Sequence, residues 1–144
     1  MSRVCCDANI VIAIFVREAS SVRIQAWVAD PSVAIVISDL TVLEFTSAIS
    51  RLVRERKLDS AEARSIFSRF EFWRVALGRP MTITRNMFVR ARTIVEDAVL
   101  GVRGPDALHL ALLQVTGLPF ATFDARLRRA ADTIGLATLE PPPL

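Results

Sequence analysis

The sequence predicts an α/β domain built on a mostly parallel sheet. The first observation is alternation: strand-length apolar or β-branched runs, "VCC" (4–6), "VAIVIS" (33–38), "LPFATFD" (118–124) and "LATLE" (136–140), are separated by segments of helical period. The second is punctuation, because helix starts and stops fall between those runs at Asp30-Pro31, Pro105, Gly117 and Gly135. The third is length: 144 residues suit one domain that can bury roughly two thirds of its unfolded surface without a disulfide or structural zinc.

Taken in order, residues 4–6 read as a short buried strand, and 10–16 as a helix entered through the turn Asp7-Ala8-Asn9. A second helix covers 21–29 and is stopped by Asp30 and Pro31. The strand 33–38 runs at once into "DLTVLEFTSAISRLVRER", where Leu43, Ile49, Leu52 and Val53 recur at helical spacing. Residues 60–72 form another helix, and "MTITRNMFVRARTIVEDAVL" holds one more before the break between Gly101 and Gly104. Pro105 suits the first turn of the helix "PDALHLALLQVTG", which Gly117 closes. The strand "LPFATFD", the helix "ARLRRAADTIG" and the strand "LATLE" complete the domain.

Composition narrows the class. The hydrophobic fraction is 52% and the mean hydropathy +0.40, high enough that some apolar surface is expected to be shared with a partner. No apolar stretch approaches the roughly 18 residues of a membrane span. Asp7 and Asn9 interrupt what would be the apolar region of a signal peptide, so a cytoplasmic protein is expected. Cys5 and Cys6 are adjacent, lie in a strand-like run and have no third cysteine to pair with, which makes them buried thiols of a reducing compartment. The net charge is +3, the pI about 9.6, and every cation but Lys57 is arginine. Arginine forks onto phosphate, so nucleic acid is a reasonable partner, although solvated helix faces explain such charge runs equally well.

The informative residues are acids. In an open parallel sheet ligands sit outside the carboxyl ends of the strands, and Asp7, Glu44 and Asp124 follow predicted strands while Asp106 stands in the first turn of a helix. Each has a capping role open to it: Asp7, Asp106 and Asp124 at helix starts, and Thr41 to Glu44 as a Thr-x-x-Glu capping box. Four carboxylates crowded at one edge nevertheless repel one another, and an ionised carboxylate in a core costs several kcal/mol unless paired or metal-bound. Magnesium or manganese fits an acid cluster without paired histidines or cysteines. His109, one turn beyond Asp106, reads as a partly buried helix residue rather than a catalytic base. In "IFSRFEFWRV", Phe70, Phe72 and Trp73 cannot all face one side of a helix, so part of that cluster is left for a partner groove.

Four segments in order, "VCCDANIVI", "SDLTVLEF", "GPDALHLA" and "FATFDARLRRAA", resemble the PIN domain, and more narrowly a VapC-type toxin of a toxin-antitoxin system. The resemblance runs essentially end to end, so residues 1–144 are taken as a single PIN-like domain, a three-layer α/β/α arrangement around a central, mostly parallel sheet. It implies a metal-dependent endoribonuclease whose pocket, catalytic and metal-holding at once, is Asp7, Glu44, Asp106 and Asp124, with Mg2+ or Mn2+ as cofactor. Asn9 and Thr122 match supporting positions, Asn9 to orient Asp7 and Thr122 to hold a water or carboxylate. Asp124 varies most in role within the family. The resemblance further implies an RNA substrate (tRNA, rRNA or mRNA) cut to a 5′-phosphate and a 3′-hydroxyl, a cognate antitoxin, and a homodimer.

Other α/β classes fit less well. A receiver domain of two-component signalling also gathers acids at strand ends but needs a lysine near the last strands, and Lys57 is misplaced for that. A haloacid-dehalogenase-like phosphatase needs an aspartate where this chain has Asn9. A non-catalytic interaction module with coincidental caps is the remaining alternative.

Overall fold

In a computed structural model, residues 1–140 are described. Five strands form one all-parallel sheet in the order β3-β2-β1-β4-β5: β1 (Ser2–Cys6), β2 (Val33–Ser38), β3 (Arg79–Met81), β4 (Phe120–Ala121) and β5 (Thr138–Leu139). Seven helices among the described residues cover its two faces, giving three α/β/α layers. On one side lie α1 (Ala8–Phe15), α2 (Ser21–Ala29), α3 (Asp39–Arg54) and α4 (Ser60–Ala76). On the other lie α5 (Arg85–Glu96), α6 (Gly104–Thr116) and α7 (Ala125–Thr133).

The strands are apolar throughout because both faces are covered. Successive side chains of β1 point to opposite layers: Val4 and Cys6 join the core under α1–α4, while Cys5 joins Phe120 and Leu110 under α5–α7. Both thiols are free and buried, and burial pushes Cys5 up to about 12. On the α4 side Phe70 stacks on Phe45 at 4.2 Å and on Trp73 at 6.4 Å, while Phe72 points outward, 78% exposed, as their spacing requires.

Four elements differ from the sequence reading. Strand β3 has no counterpart in it, since an arginine and a proline in a three-residue run give no strand signal; Pro80 is tolerated because β3 is an edge strand with a single neighbour. Helix α1 begins at Ala8 rather than residue 10, and α4 extends to Ala76 rather than stopping at 72. The cap of α3 is Ser38, whose hydroxyl accepts from the Thr41 N–H at 3.1 Å, so the capping box that Thr41 and Glu44 left open as an alternative does not form. The Thr41 hydroxyl instead donates to the Cys6 carbonyl at 2.9 Å, tying α3 to the end of β1.

Strand order reverses direction at β1, whose neighbours are β2 on one side and β4 on the other. Such a switch point opens a crevice at the carboxyl ends of the diverging strands. Asp7 follows β1 there, and its N–H donates to the Ala121 carbonyl of β4 at 3.0 Å.

Candidate active site

Asp7 is the N-cap of α1 and is buried, 7% exposed. Its Oδ1 accepts from the Ala8 N–H at 2.7 Å, and its Oδ2 accepts from the Thr122 hydroxyl at 2.6 Å and from Asn9 Nδ2 at 3.1 Å. Asn9 Nδ2 also reaches Thr122 Oγ1 at 3.2 Å, and Asn9 Oδ1 accepts from the Phe123 N–H at 3.1 Å. Asn9 and Thr122 therefore both orient Asp7 and stitch the turn after β1 to the turn after β4. Thr122 serves a second acid as well, since its hydroxyl oxygen accepts from the Asp124 N–H at 2.9 Å.

Glu44 projects from α3 and meets His109 of α6: Glu44 Oε1 is 2.6 Å from His109 Nε2, and Asp7 Oδ1 is 3.8 Å from the same nitrogen. Asp7, Glu44 and His109 can thus each turn a ligand atom toward one point, all within 4.8 Å of one another. Burial pushes the Asp7 carboxyl above its ordinary range, and the Glu44 charge adds to that. His109, Thr122 and the Ala8 N–H pull it back, without cancelling the rise. Burial alone would lower His109, but its bond to Glu44 and the charges of Asp7, Glu44 and Asp106 outweigh that and raise it. The pocket is one in which negative charge is costly and positive charge is favoured.

Asp106 and Asp124 are not part of this three-residue cluster. Asp106 Oδ2 takes a long bond, 3.4 Å, from the Arg103 N–H, and Asp124 Oδ1 caps α7 through the N–H groups of Arg126 and Leu127 at 2.8 and 3.1 Å. With Glu44 they line an adjoining cleft of about 760 Å³. Asp124 thus does act as a cap, yet Asp124 Oδ2, Asp106 Oδ1 and Glu44 Oε2 have no hydrogen-bond partner among the described residues. One oxygen of each is anchored and the other is unbonded, on side chains that line the cleft. A hard divalent cation fits this donor set: carboxylate oxygens, one imidazole edge, and a buried aspartate whose charge needs compensation.

His109 is the residue that sequence reasoning placed differently. It is a fully buried helix residue, 1% exposed, rather than a partly buried one, and it also holds one of the acids. Its position one turn after Asp106 was the available signal.

A parallel α/β sheet with acids collected at its switch point is common to several classes of protein, and similarity to known proteins makes the class specific. The PIN domain family model matches residues 4–133, and the chain belongs to the PIN domain family. No curated protein matches the sequence. Among solved structures, FitAcB from Neisseria gonorrhoeae is similar at 20% identity and a TM-score of 0.73, with 96% of this chain and 97% of that chain covered. VapBC from Salmonella typhimurium, solved with DNA bound, is similar at 14% identity and a TM-score of 0.71, with 99% and 100% covered. VapC20 from Mycobacterium tuberculosis, described as a sarcin-ricin loop cleaving toxin, is similar at 16% identity and a TM-score of 0.69, with 96% and 99% covered.

Proposed function

We propose that this PIN domain is a metal-dependent endoribonuclease acting in the cytoplasm as the toxin of a type II toxin-antitoxin pair. One observation carries the reading: a buried aspartate, Asp7, is drawn against Glu44 and His109 at the sheet's switch point, with Asp106 and Asp124 on the adjoining cleft. Kinship to toxin-antitoxin PIN proteins supports it. Asp7, Glu44 and Asp106 would hold Mg2+ or Mn2+, with Asp124 completing a second site or positioning water. When bound, the cation supplies a water made nucleophilic near neutral pH and charge neutralisation at the phosphodiester.

The protein's own part is preorganisation. Thr122 and Asn9 fix Asp7 Oδ2, and the Ala8 N–H fixes Oδ1, so the carboxylate cannot rotate. His109 fixes Glu44 through Oε1, and the start of α7 fixes Asp124 through Oδ1. Fixed ligands need no reorganisation during the reaction, which is where much of the rate of such sites originates.

An antitoxin and a second copy of the chain are the proposed protein partners. Large apolar side chains stand exposed on the outer helices, Phe72 and Val75 on α4 and Phe88 and Val89 on α5. Several solved relatives are toxin-antitoxin complexes. The test of the activity is direct. Partner-free protein supplied with Mn2+ should cut at least one of tRNA, ribosomal RNA or messenger RNA, and chelation should abolish the cut; no cleavage across that panel sinks the reading.

A further inference from the structure

The cleft beside the acids is lined by arginines as well, carried on the same two segments as Asp106 and Asp124. Arg103 stands just ahead of α6, and Arg126 and Arg129 lie three residues apart on α7, which places them on one face of that helix. All three are exposed and line the same cleft as Glu44, Asp106 and Asp124. None forms an ion pair with a described residue, whereas Arg51, Arg74 and Arg128 pair with Glu55, Glu71 and Glu140 at 3.8, 2.8 and 3.3 Å. Helix α7 thus divides its guanidiniums, Arg128 going to Glu140 and the other two to the cleft.

The rest of the lining is mostly apolar, with Asp97 and Thr133 the polar members. Val99, Leu100 and Val102 form the rim, and Val99 is 97% exposed. The loop beneath is held in shape by Asp97, whose Oδ1 accepts from the N–H groups of Val99 and Leu100 at 3.0 and 3.3 Å, and by the positive φ of +69° at Gly101. Among the described residues no aromatic side chain lines the cleft, so a base resting there would lie on aliphatic side chains or on guanidinium planes.

The geometry points to Arg103, Arg126 and Arg129 as a clamp for the backbone of a single-stranded RNA, holding phosphates beside the scissile one while the bases lie on Val99, Leu100 and Val102. The inference rests on the ribonuclease reading and supplies what that reading lacks. Carboxylates alone would repel RNA, and guanidiniums interleaved with them along the cleft are what lets a polyanion approach. Guanidinium is suited to that task because its planar fork pairs with two phosphate oxygens at once. An acidic protein segment is the other polyanion these arginines could hold, but it brings no phosphodiester to the acids beside them.

The test separates binding from cleavage. A fluorescein-labelled single-stranded RNA of about fifteen nucleotides is titrated with protein in EDTA, followed by anisotropy, across roughly 20 to 200 mM salt. Each of Arg103→Gln, Arg126→Gln and Arg129→Gln should weaken binding about three- to tenfold, and the triple variant should flatten the log K against log salt slope by about 2, near 0.7 for each phosphate no longer neutralised. Arg64→Gln and Arg69→Gln, exposed on α4 away from the cleft, should change neither. A triple variant with the wild-type slope overturns the clamp, as does wild-type protein with no affinity for the RNA. So does a triple variant that keeps RNA but loses an acidic peptide, which would make the cleft a socket for protein. Wild-type protein that binds through these arginines but cleaves nothing in Mn2+ leaves the clamp standing and removes the ribonuclease reading instead.

Discussion

His109 Nε2 sits 2.6 Å from Glu44 Oε1 and 3.8 Å from Asp7 Oδ1, so one imidazole edge bonds Glu44 and lies within ion-pair reach of Asp7, two acids carried by different parts of the fold. The other ring nitrogen, Nδ1, is buried with no hydrogen-bond partner among the described residues. The ring is therefore committed to the acids, and its partner in the fold is the site itself.

That commitment predicts the behaviour of His109 variants. His109→Leu removes the bond to Glu44 and leaves Asp7 and Glu44 facing each other, costing the metal-free protein on the order of 1–3 kcal/mol. His109→Gln, which can still donate to Glu44, should recover part of that. Because His109 is raised in the folded state, its favourable contribution is complete below its unfolded value and is lost as pH rises through the folded one. Thermal melts in EDTA on either side of neutrality measure this: wild type should lose stability with rising pH over that window, and His109→Leu should lack that component.

Asp7 carries a related signature in the acid range. Its carboxyl is raised in the fold, chiefly by burial, so stability attached to its protonated form is complete below the ordinary aspartate value and is lost as pH climbs through the raised one. Asp7→Asn should remove that loss, leaving the metal-free protein at neutral pH at least as stable as wild type. Cleavage should collapse, and Mn2+ should no longer raise the melting temperature. Asp106→Asn should show the same pattern, Glu44→Gln nearly so, and Asp124→Asn a partial one. If Asp7 and Asp106 served only as caps, asparagine would replace them with little change and metal-dependent cleavage would persist.

Thr122 tests the support of the site. Its hydroxyl donates to Asp7 and accepts from the Asp124 N–H, entirely buried. Thr122→Val keeps the shape but strands both groups, which should cost about 1–3 kcal/mol, push Asp7 further up and reduce the Mn2+-induced rise in melting temperature. Thr122→Ser should restore most of each. A valine variant with unaltered metal response would show that Asp7 needs no such partner.

The exposed aromatics make the opposite prediction. Phe72 and Phe88 are 78% and 56% exposed, so Phe72→Arg and Phe88→Arg should each change the melting free energy by no more than about 0.5 kcal/mol. Light scattering and co-purification with the proposed antitoxin should nevertheless show loss of the proposed self-association or complex. Unchanged assembly in both variants would move the partner surface elsewhere on the molecule.

Much of this site was legible in the chain because its parts have one-dimensional signals. Asp7 is an acid inside an apolar run, and Asp124 follows a short strand and opens a helix. Glu44 was harder: its spacing from Thr41 imitates a capping box, and only the fold shows that Ser38 takes the cap and leaves Glu44 to His109. His109 lies in a fully buried run, residues 107–113, where periodicity is silent about which face each side chain occupies. The strand β3 escaped because pairing with β2, not local propensity, makes Arg79–Met81 extended.

The two helical layers have separate hydrophobic cores divided by the sheet, and the acid cluster is drawn from both of them: Glu44 from α3 on one side, His109 from α6 on the other, Asp7 from the strand end between. Its geometry is consequently a gauge of how the layers are aligned. A slip of α3 against α6 by about 1 Å is enough to part a 2.6 Å hydrogen bond, and would cost the proposed nuclease on the order of a hundredfold in rate. A ligand gripping only the outer surface of α3 or α4 could in that way silence the pocket while never entering it.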